Sequence, residues 1–178
     1  MSFTPTAGVP MSAHSGEFDP GLFWYPGRTE GLPAKRFNEM VNFQSGLLGL
    51  SETISDMRDL LDRETQYVRA AEAVALFCYQ VKKWIGAFAA ALGGLDTRVF
   101  AGGIGENAPM VRPRICDGLG FPGIELDEQR NAANDGVISA AASPVAVRVL
   151  RTDEELMIAK TGCRVLGLGG KRELNHED

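Results

Sequence analysis

The chain has 178 residues, enough for one sizeable core, with 44% apolar and 23% charged residues and a formal charge of −5. The acidic balance and scattered Lys and Arg argue against a nucleic-acid surface; Lys82-Lys83 interrupts the longest low-charge helical stretch, so no membrane span is expected, and the N-terminus shows no basic region followed by an apolar run, so no signal peptide is expected. Cys78, Cys116 and Cys163 are far apart and odd in number, which fits neither a metal pattern nor a disulfide framework; they read as buried thiols in a reducing cytoplasm.

Residues 1–18 are rich in Gly, Pro, Ser and Thr and read as loop. Asp19-Pro20 caps a helix ending near Pro26-Gly27, and a second helix runs from Pro33 to Phe43 with Phe37, Met40 and Val41 on one face. After the small, glycine-containing stretch 45–53, Ser55 caps a short helix through Asp56, Arg58 and Leu61. The longest periodic segment is Gln66 to Leu92, where Val68, Ala71, Ala75, Cys78, Val81, Ile85, Phe88 and Leu92 form a core stripe and Gly93-Gly94 ends the helix. A strand follows at Val99-Phe100-Ala101. A helix then spans Asn107 to Gly118, with Asn107 as its N-cap and Pro109 tolerated in its first turn. Ile124 to Leu126 is a short extended piece and Val145 to Leu150 a strand. Thr152-x-x-Glu155 forms a capping box for a last helix to about Val165. Strands alternating with helices predict one α/β domain over 1–167 and a flexible tail over 168–178.

The run R-V-F-A-G-G-I-G-E-N-A-P-M-V-R-P-R, Arg98 to Arg114, carries the strongest chemical signal. Glycines there let backbone N–H groups approach a ligand and take up positive φ, and a helix start beside them adds unpaired donors, which suits a nucleotide. A tight turn binding nothing fits the same pattern. In S-D-M-R-D, Asp56 and Arg58 can offer a carboxylate to a ribose hydroxyl and a guanidinium to an adenine face or phosphate; a capped helix with a surface ion pair is the alternative. Glu154, at a helix start after a strand, suits Mg²⁺ beside a phosphate, or simply the helix dipole.

The segment F-A-G-G-I-G-E-N-A-P-M-V-R-P-R-I-C-D-G-L closely resembles the adenosine-binding segment of acetate kinases, in the actin, heat-shock cognate and sugar kinase superfamily. M-S-F-T-P-T-A-G-V-P-M, H-S-G-E-F-D-P-G, S-G-L-L-G-L-S-E-T-I-S-D-M-R-D-L and R-T-D-E-E-L-M-I-A-K resemble further segments in the family's order, spread over nearly all of residues 1–167. The resemblance implies a ribonuclease H-like α/β fold and reversible phosphate transfer between ATP and acetate or propionate, giving ADP and an acyl phosphate. It implies Mg²⁺ as cofactor, a cytoplasmic homodimer, and no nucleic-acid or membrane partner.

It further implies nucleotide contacts from Asp56, Met57 and Arg58 and a floor of Gly102, Gly103, Ile104 and Gly105, with Asn107 a helix cap first and a contact second, and the magnesium-linked carboxylate at Glu154. Met57 stands where many members carry a bulkier or aromatic residue. His14 stands where the family usually has an arginine acting at the carboxylate or phosphoryl group; a guanidinium is a permanent two-pronged clamp and a histidine is charged only part of the time, and a plain loop histidine is the alternative. Acetate kinases are longer and built from two related halves, and Met1 to Pro5 matches a point partway along them. The chain therefore reads as a C-terminal, nucleotide-binding half, not competent alone, with a separate N-terminal half among its partners. The rival readings are a non-catalytic nucleotide-binding remnant and a dimerisation module built on Gln66–Leu92.

Overall fold

A computed structural model describes residues 6–168; the remainder of the expected tail, 169–178, and residues 1–5 lie outside the described residues. Helix α1 (Gly21–Thr29) starts after Pro20, with the Asp19 carboxylate accepting from the Gly21 N–H at 2.6 Å. It passes through Pro26 rather than ending there, because a proline costs one N–H and the chain still closes on the Pro26 carbonyl through the N–H groups of Glu30 and Leu32. Helix α2 (Ala34–Phe43) buries Phe37 and Val41, with the rings of Phe18 and Phe23 edge-on to Phe37 at 5.8 and 5.0 Å.

Helix α3 (Gly46–Ser51) occupies a stretch with no helix expected from the sequence. Its cap comes from a distant loop: the N–H groups of Leu47 and Leu48 donate to the carbonyls of Met11 and Ser12, at 2.9 Å each. Gly46 permits this through a left-handed φ of 62°, and a Cβ there would collide with the backbone carbonyls of Met11 and His14.

Helix α4 (Met57–Arg63) is capped by Asp56, not by Ser55: an Asp56 carboxylate oxygen accepts from the Arg58 N–H at 2.8 Å. Helix α5 (Val68–Leu92) is the scaffold, packed against α3 and α4 and against α7, defined below. Its buried stripe is Ala70, Ala73, Val74, Phe77, Cys78, Ile85 and Ala89, so the expected stripe is rotated: Val68, Phe88 and Leu92 face outward. The helix is apolar on nearly every side, so periodicity alone does not choose a face.

Gly93 ends α5 in a left-handed turn, and β1 (Thr97–Phe100) pairs in parallel with β2 (Ala146–Val149), in register Thr97↔Ala146 to Phe100↔Val149. The connection between them runs through α6 (Gly102–Asn107), α7 (Val111–Cys116) and α8 (Glu128–Ala132). The helix predicted from 107 to 118 is thus shorter, confined to α7, and the glycine segment before it forms α6. Ala108 precedes Pro109, whose ring pushes it out of the helical region to ψ 73°, and Asn107 closes α6 instead of capping α7.

The extended piece at 124–126 forms an antiparallel bridge, Leu126↔Ser139, and Val137↔Arg148 covers the far edge of β2. Helix α9 (Glu154–Val165) is capped by Asp153, whose carboxylate accepts from the Leu156 N–H at 2.8 Å, so Thr152 and Glu155 make no capping box. Buried Leu47, Leu60, Val74, Phe77, Phe100, Val111, Ile138, Val145 and Val147 belong to one core, shared by α3, α4, α5, α7 and the sheet. Cys78 and Cys116 lie in it as expected, but Cys163 on α9 is exposed.

Candidate functional site

A cleft of about 360 Å³ opens between the start of α4 and the outer side of α6. Asp56, Met57 and Arg58 line one wall and Gly103, Ile104, Asn107 and Ala108 the other, with Ser12 at the rim. Two segments separated by more than forty positions in the chain, each singled out from sequence, therefore face one cavity. Gly102 and Gly105 line a neighbouring groove that shares Gly103 and Ile104. His14 and Glu154 line neither. His14 belongs to the loop capping α3, where its carbonyl accepts from the Met11 N–H at 3.2 Å; Glu154 is exposed in the first turn of α9.

The glycines do different jobs. Gly102 adopts a φ of 73°, which a side chain resists, as the chain turns from β1 into α6. Gly105 lies over β1, where a Cβ would meet the Phe100 carbonyl carbon at 3.2 Å. Gly103 has ordinary φ and no atom within 4 Å of where a Cβ would stand, so a side chain there meets only the space of the cleft. The expected set of free N–H donors is reduced, since the Gly102 N–H donates to Glu106 Oε1 at 2.8 Å.

Asp56 and Arg58 form a fork: Arg58 Nε donates to Asp56 Oδ1 at 3.1 Å and Nη2 to Oδ2 at 2.8 Å. The Arg58 side chain and its N–H hold the Asp56 carboxyl well below its usual range, at about 2. The pair is thus a helix cap with an ion pair that also faces the cleft. One wall is fixed from below by Arg114 on α7, whose two Nη atoms hold the Glu64 carboxylate at the end of α4 at 2.7 and 2.6 Å.

The other wall hangs on Arg112, which sequence analysis does not single out. Its side chain is fully buried and all five N–H donors are spent on neutral oxygens. Nε donates to Asn131 Oδ1 at 2.7 Å; Nη1 to the carbonyls of Gly105 and Glu106 at 2.8 and 3.3 Å; Nη2 to Asn131 O and Asn134 Oδ1 at 3.0 and 2.8 Å. Burial pulls its pKa down from the usual arginine value. The cation thus ends α6 at its carbonyl, negative pole and ties it to the loop after α8, where Asn134 sits in a left-handed conformation (φ 58°). The available sequence signal was the Asn134-Asp135-Gly136 turn; nothing in the period of α7 marks Arg112 as buried.

Glu106 makes the second tie. Its Oε1 accepts from the N–H and hydroxyl of Thr152 at 2.9 and 2.8 Å, besides the Gly102 N–H, and these bonds, the hydroxyl's foremost, lower its pKa. The turn leading to Glu154 is thereby fastened to the glycine segment, although Glu154 itself is not in the cleft. Among the described residues no group of three or more His, Cys, Asp or Glu is arranged to hold a metal.

The model of the Acetokinase family matches residues 1–160. An acetate kinase of Clostridium botulinum (strain Alaska E43 / Type E3) is 47% identical over 165 residues, covering 90% of this chain and 42% of that protein. A propionate kinase of Yersinia enterocolitica is 43% identical over 166 residues, covering 93% and 40%. The crystal structure of Porphyromonas gingivalis acetate kinase superposes with a TM-score of 0.86 at 40% identity, over 93% of this chain and 43% of that one. The chain thus spans less than half the length of these relatives. With its α/β fold matched to theirs and its cleft built from the segments that resemble theirs, this chain belongs to the Acetokinase family.

Proposed function

We propose that the cleft between α4 and α6 binds the adenosine of ATP or ADP, and that the chain is the nucleotide side of a phosphotransferase acting on acetate or propionate. The observation that carries this reading is the meeting of Asp56, Met57 and Arg58 with Gly103, Ile104 and Asn107 across one cavity. In it, Gly103 and Ile104 form the floor, with Gly102 and Gly105 shaping the turn beneath. Asp56 Oδ2 keeps a lone pair for a ribose hydroxyl, and the guanidinium of Arg58 offers its face to the base. Asn107, whose Nδ2 donates to the Gly103 carbonyl at 3.0 Å, stiffens the floor.

Mg²⁺ is the implied cofactor, and the residues fit it in a limited way. Mg²⁺ commonly takes one or two carboxylates and fills the rest of its shell with water and phosphate oxygens, so an exposed Glu154 suits a metal arriving with the nucleotide. Charge neutralisation on the phosphates is the chemistry the ion supplies. The carboxylate partner and the phosphoryl group are met by His14 together with groups outside this chain, so the chain alone makes no acyl phosphate. A cytoplasmic homodimer is part of the same reading, and exposed Leu22, Phe23, Trp24 and Tyr25 on α1 supply apolar surface for it.

Calorimetry with Mg²⁺–ATP tests the binding step. The native chain is expected to take up nucleotide weakly, and Gly103→Val to lose binding while keeping its melting temperature. Equal binding by both proteins overturns the assignment of the cleft. The second reading, a nucleotide-binding remnant without catalysis, is favoured by His14 in the place of the family's arginine. Hydroxamate trapping of acyl phosphate, with the chain complemented by an N-terminal half from a relative, separates the two.

A further inference from the structure

The sequence holds two Asp-Gly pairs, Asp117-Gly118 and Asp135-Gly136. In such a pair the glycine nitrogen has no Cβ beside it and is open to attack the carboxyl of the aspartate before it. The structure treats the two pairs differently. Asp117 ends α7, with its N–H donating to the Pro113 carbonyl at 2.8 Å and its carboxylate 3.6 Å from Lys82 Nζ; Gly118 is committed to the left-handed turn that follows, at φ 76°. Asp135 and Gly136 are both exposed. Among the described residues the Asp135 carboxylate has no hydrogen-bond or ion-pair partner, and the Gly136 N–H has no acceptor. A Cβ on Gly136 would meet nothing within 4 Å, so the nitrogen stands in open space.

The chain on either side of this free pair is pinned. Before it, the N–H groups of Asn134 and Asp135 donate to the carbonyls of Asn131 and Arg130 at 3.1 and 3.0 Å, and Asn134 Oδ1 accepts from Arg112 Nη2 at 2.8 Å. After it, the Gly136 carbonyl accepts from the Val149 N–H at 3.2 Å, and the Ile138 N–H donates to the Val147 carbonyl at 2.8 Å. The pair therefore closes a short span between the end of α8, where Arg112 is anchored, and the outer edge of β2.

We infer that Asp135-Gly136 is a site of spontaneous self-modification, at which the folded chain converts aspartate into isoaspartate. The Gly136 nitrogen attacks Asp135 Cγ; an N–Cγ bond forms, the Cγ–OH bond breaks, and the amide proton leaves with the hydroxyl as water. Water then opens the resulting five-membered imide. Cleavage at Cγ restores aspartate, whereas cleavage at the main-chain carbonyl carbon frees that carbon as a carboxylate and leaves the backbone running through Cβ and Cγ. No oxidant or cofactor is consumed. The isoaspartyl backbone is one carbon longer across a span tied at both ends, so at least one tie must give, either the bonds of the Asn134 turn that holds Arg112 or the contact with Val149. This inference is independent of nucleotide binding.

The test ages the full, folded chain for several weeks at neutral pH in heavy-oxygen water, beside a sample unfolded in urea. Trypsin separates the two pairs, because cleavage after Arg114, Arg130 and Arg148 puts Asp117 in peptide 115–130 and Asp135 in peptide 131–148. In the folded sample, peptide 131–148 is expected to gain a second chromatographic form that carries one heavy oxygen and is labelled by an isoaspartyl carboxyl methyltransferase, while 115–130 stays largely unconverted. Gly136→Ala, whose methyl group crowds the nitrogen but meets no neighbour, should slow the conversion severalfold. Asp135→Glu, which would need a six-membered ring, should abolish it. Ageing should lower the melting temperature of the native chain and leave that of Asp135→Glu unchanged. The inference is wrong if 131–148 stays aspartyl in the folded chain while the urea sample converts, if 115–130 converts faster, or if Gly136→Ala isomerises as quickly as the native chain.

Discussion

The carboxylate of Glu106 and the backbone and hydroxyl of Thr152 join the two strand ends of this fold: both Thr152 donors and the Gly102 N–H converge on one oxygen, Oε1. Glu106 follows β1 and Thr152 follows β2, so one side chain sets how far the glycine segment stands from the turn that carries Glu154. Glu106→Ala should lower the melting temperature more than Thr152→Val, which loses only the hydroxyl. Folded-state bonding lowers the carboxyl pKa, so this stabilisation is present above the ordinary value of 4.5 and fades as pH falls below it. Scanning calorimetry of the three proteins at neutral pH and in the acid range checks both statements; an unchanged melting point for Glu106→Ala refutes the tie.

Arg112 gives the largest expected loss. Arg112→Met keeps most of the volume but leaves the end carbonyls of α6 and the side-chain oxygens of Asn131 and Asn134 without donors inside the protein. Removing a buried, fully bonded charge of this kind costs about 3 kcal/mol or more. Arg112→Lys should recover only part, because a single ammonium cannot reach both the Gly105 carbonyl and the Asn131–Asn134 loop. Urea unfolding should show the midpoint falling at constant slope, in the order native, lysine, methionine.

What was legible in the sequence follows from the range of each interaction. Asp56, Arg58 and the glycine segment announced themselves because their chemistry is local: a cap, an ion pair two residues apart, a strand entering glycines. The same short range misled elsewhere. Ser55 and Thr152 are good capping residues, yet a carboxylate sits next to each and wins the N–H; α3 appears only once the carbonyls of Met11 and Ser12 arrive from another part of the chain. Arg112 was invisible because nothing in V-R-P-R distinguishes a solvated arginine from one holding Asn131 and Asn134. The outward-facing Val68, Phe88 and Leu92 show the limit of periodicity on a helix whose apolar residues surround it.

Cysteine chemistry offers an independent check on the packing. Burial pushes the Cys116 thiol up to about 11 and raises Cys78 as well, whereas Cys163 is exposed on α9. Only thiolates react quickly with aromatic disulfides. At mildly alkaline pH the native chain should therefore show one fast thiol, and urea should release the other two. Fast reaction of more than one thiol in the folded protein contradicts the core described for α5 and α7; Cys163→Ser should remove the fast phase completely.

The contrast between two neighbouring glycines separates fold from ligand. Gly105→Val would drive a side chain into the Phe100 backbone, which cannot yield, so it should destabilise the chain by about 1–3 kcal/mol and weaken nucleotide binding only as far as it unfolds the protein. A Cβ at Gly103 meets nothing within 4 Å outside its own helix and there is no left-handed backbone to strain, so the melting temperature of Gly103→Val should stay near the native value, with a few tenths of a kcal/mol gained from a stiffer unfolded chain. Its valine nevertheless occupies the floor opposite Asp56 and Arg58, where adenosine would lie. Measuring thermal melts and Mg²⁺–ATP titrations on both variants gives a crossed outcome: Gly105→Val unstable with binding retained in its folded fraction, Gly103→Val stable with binding gone. If Gly103→Val binds nucleotide as the native chain does, adenosine is not held on this floor, and the open groove lined by Gly102 and Gly105 becomes the place to look.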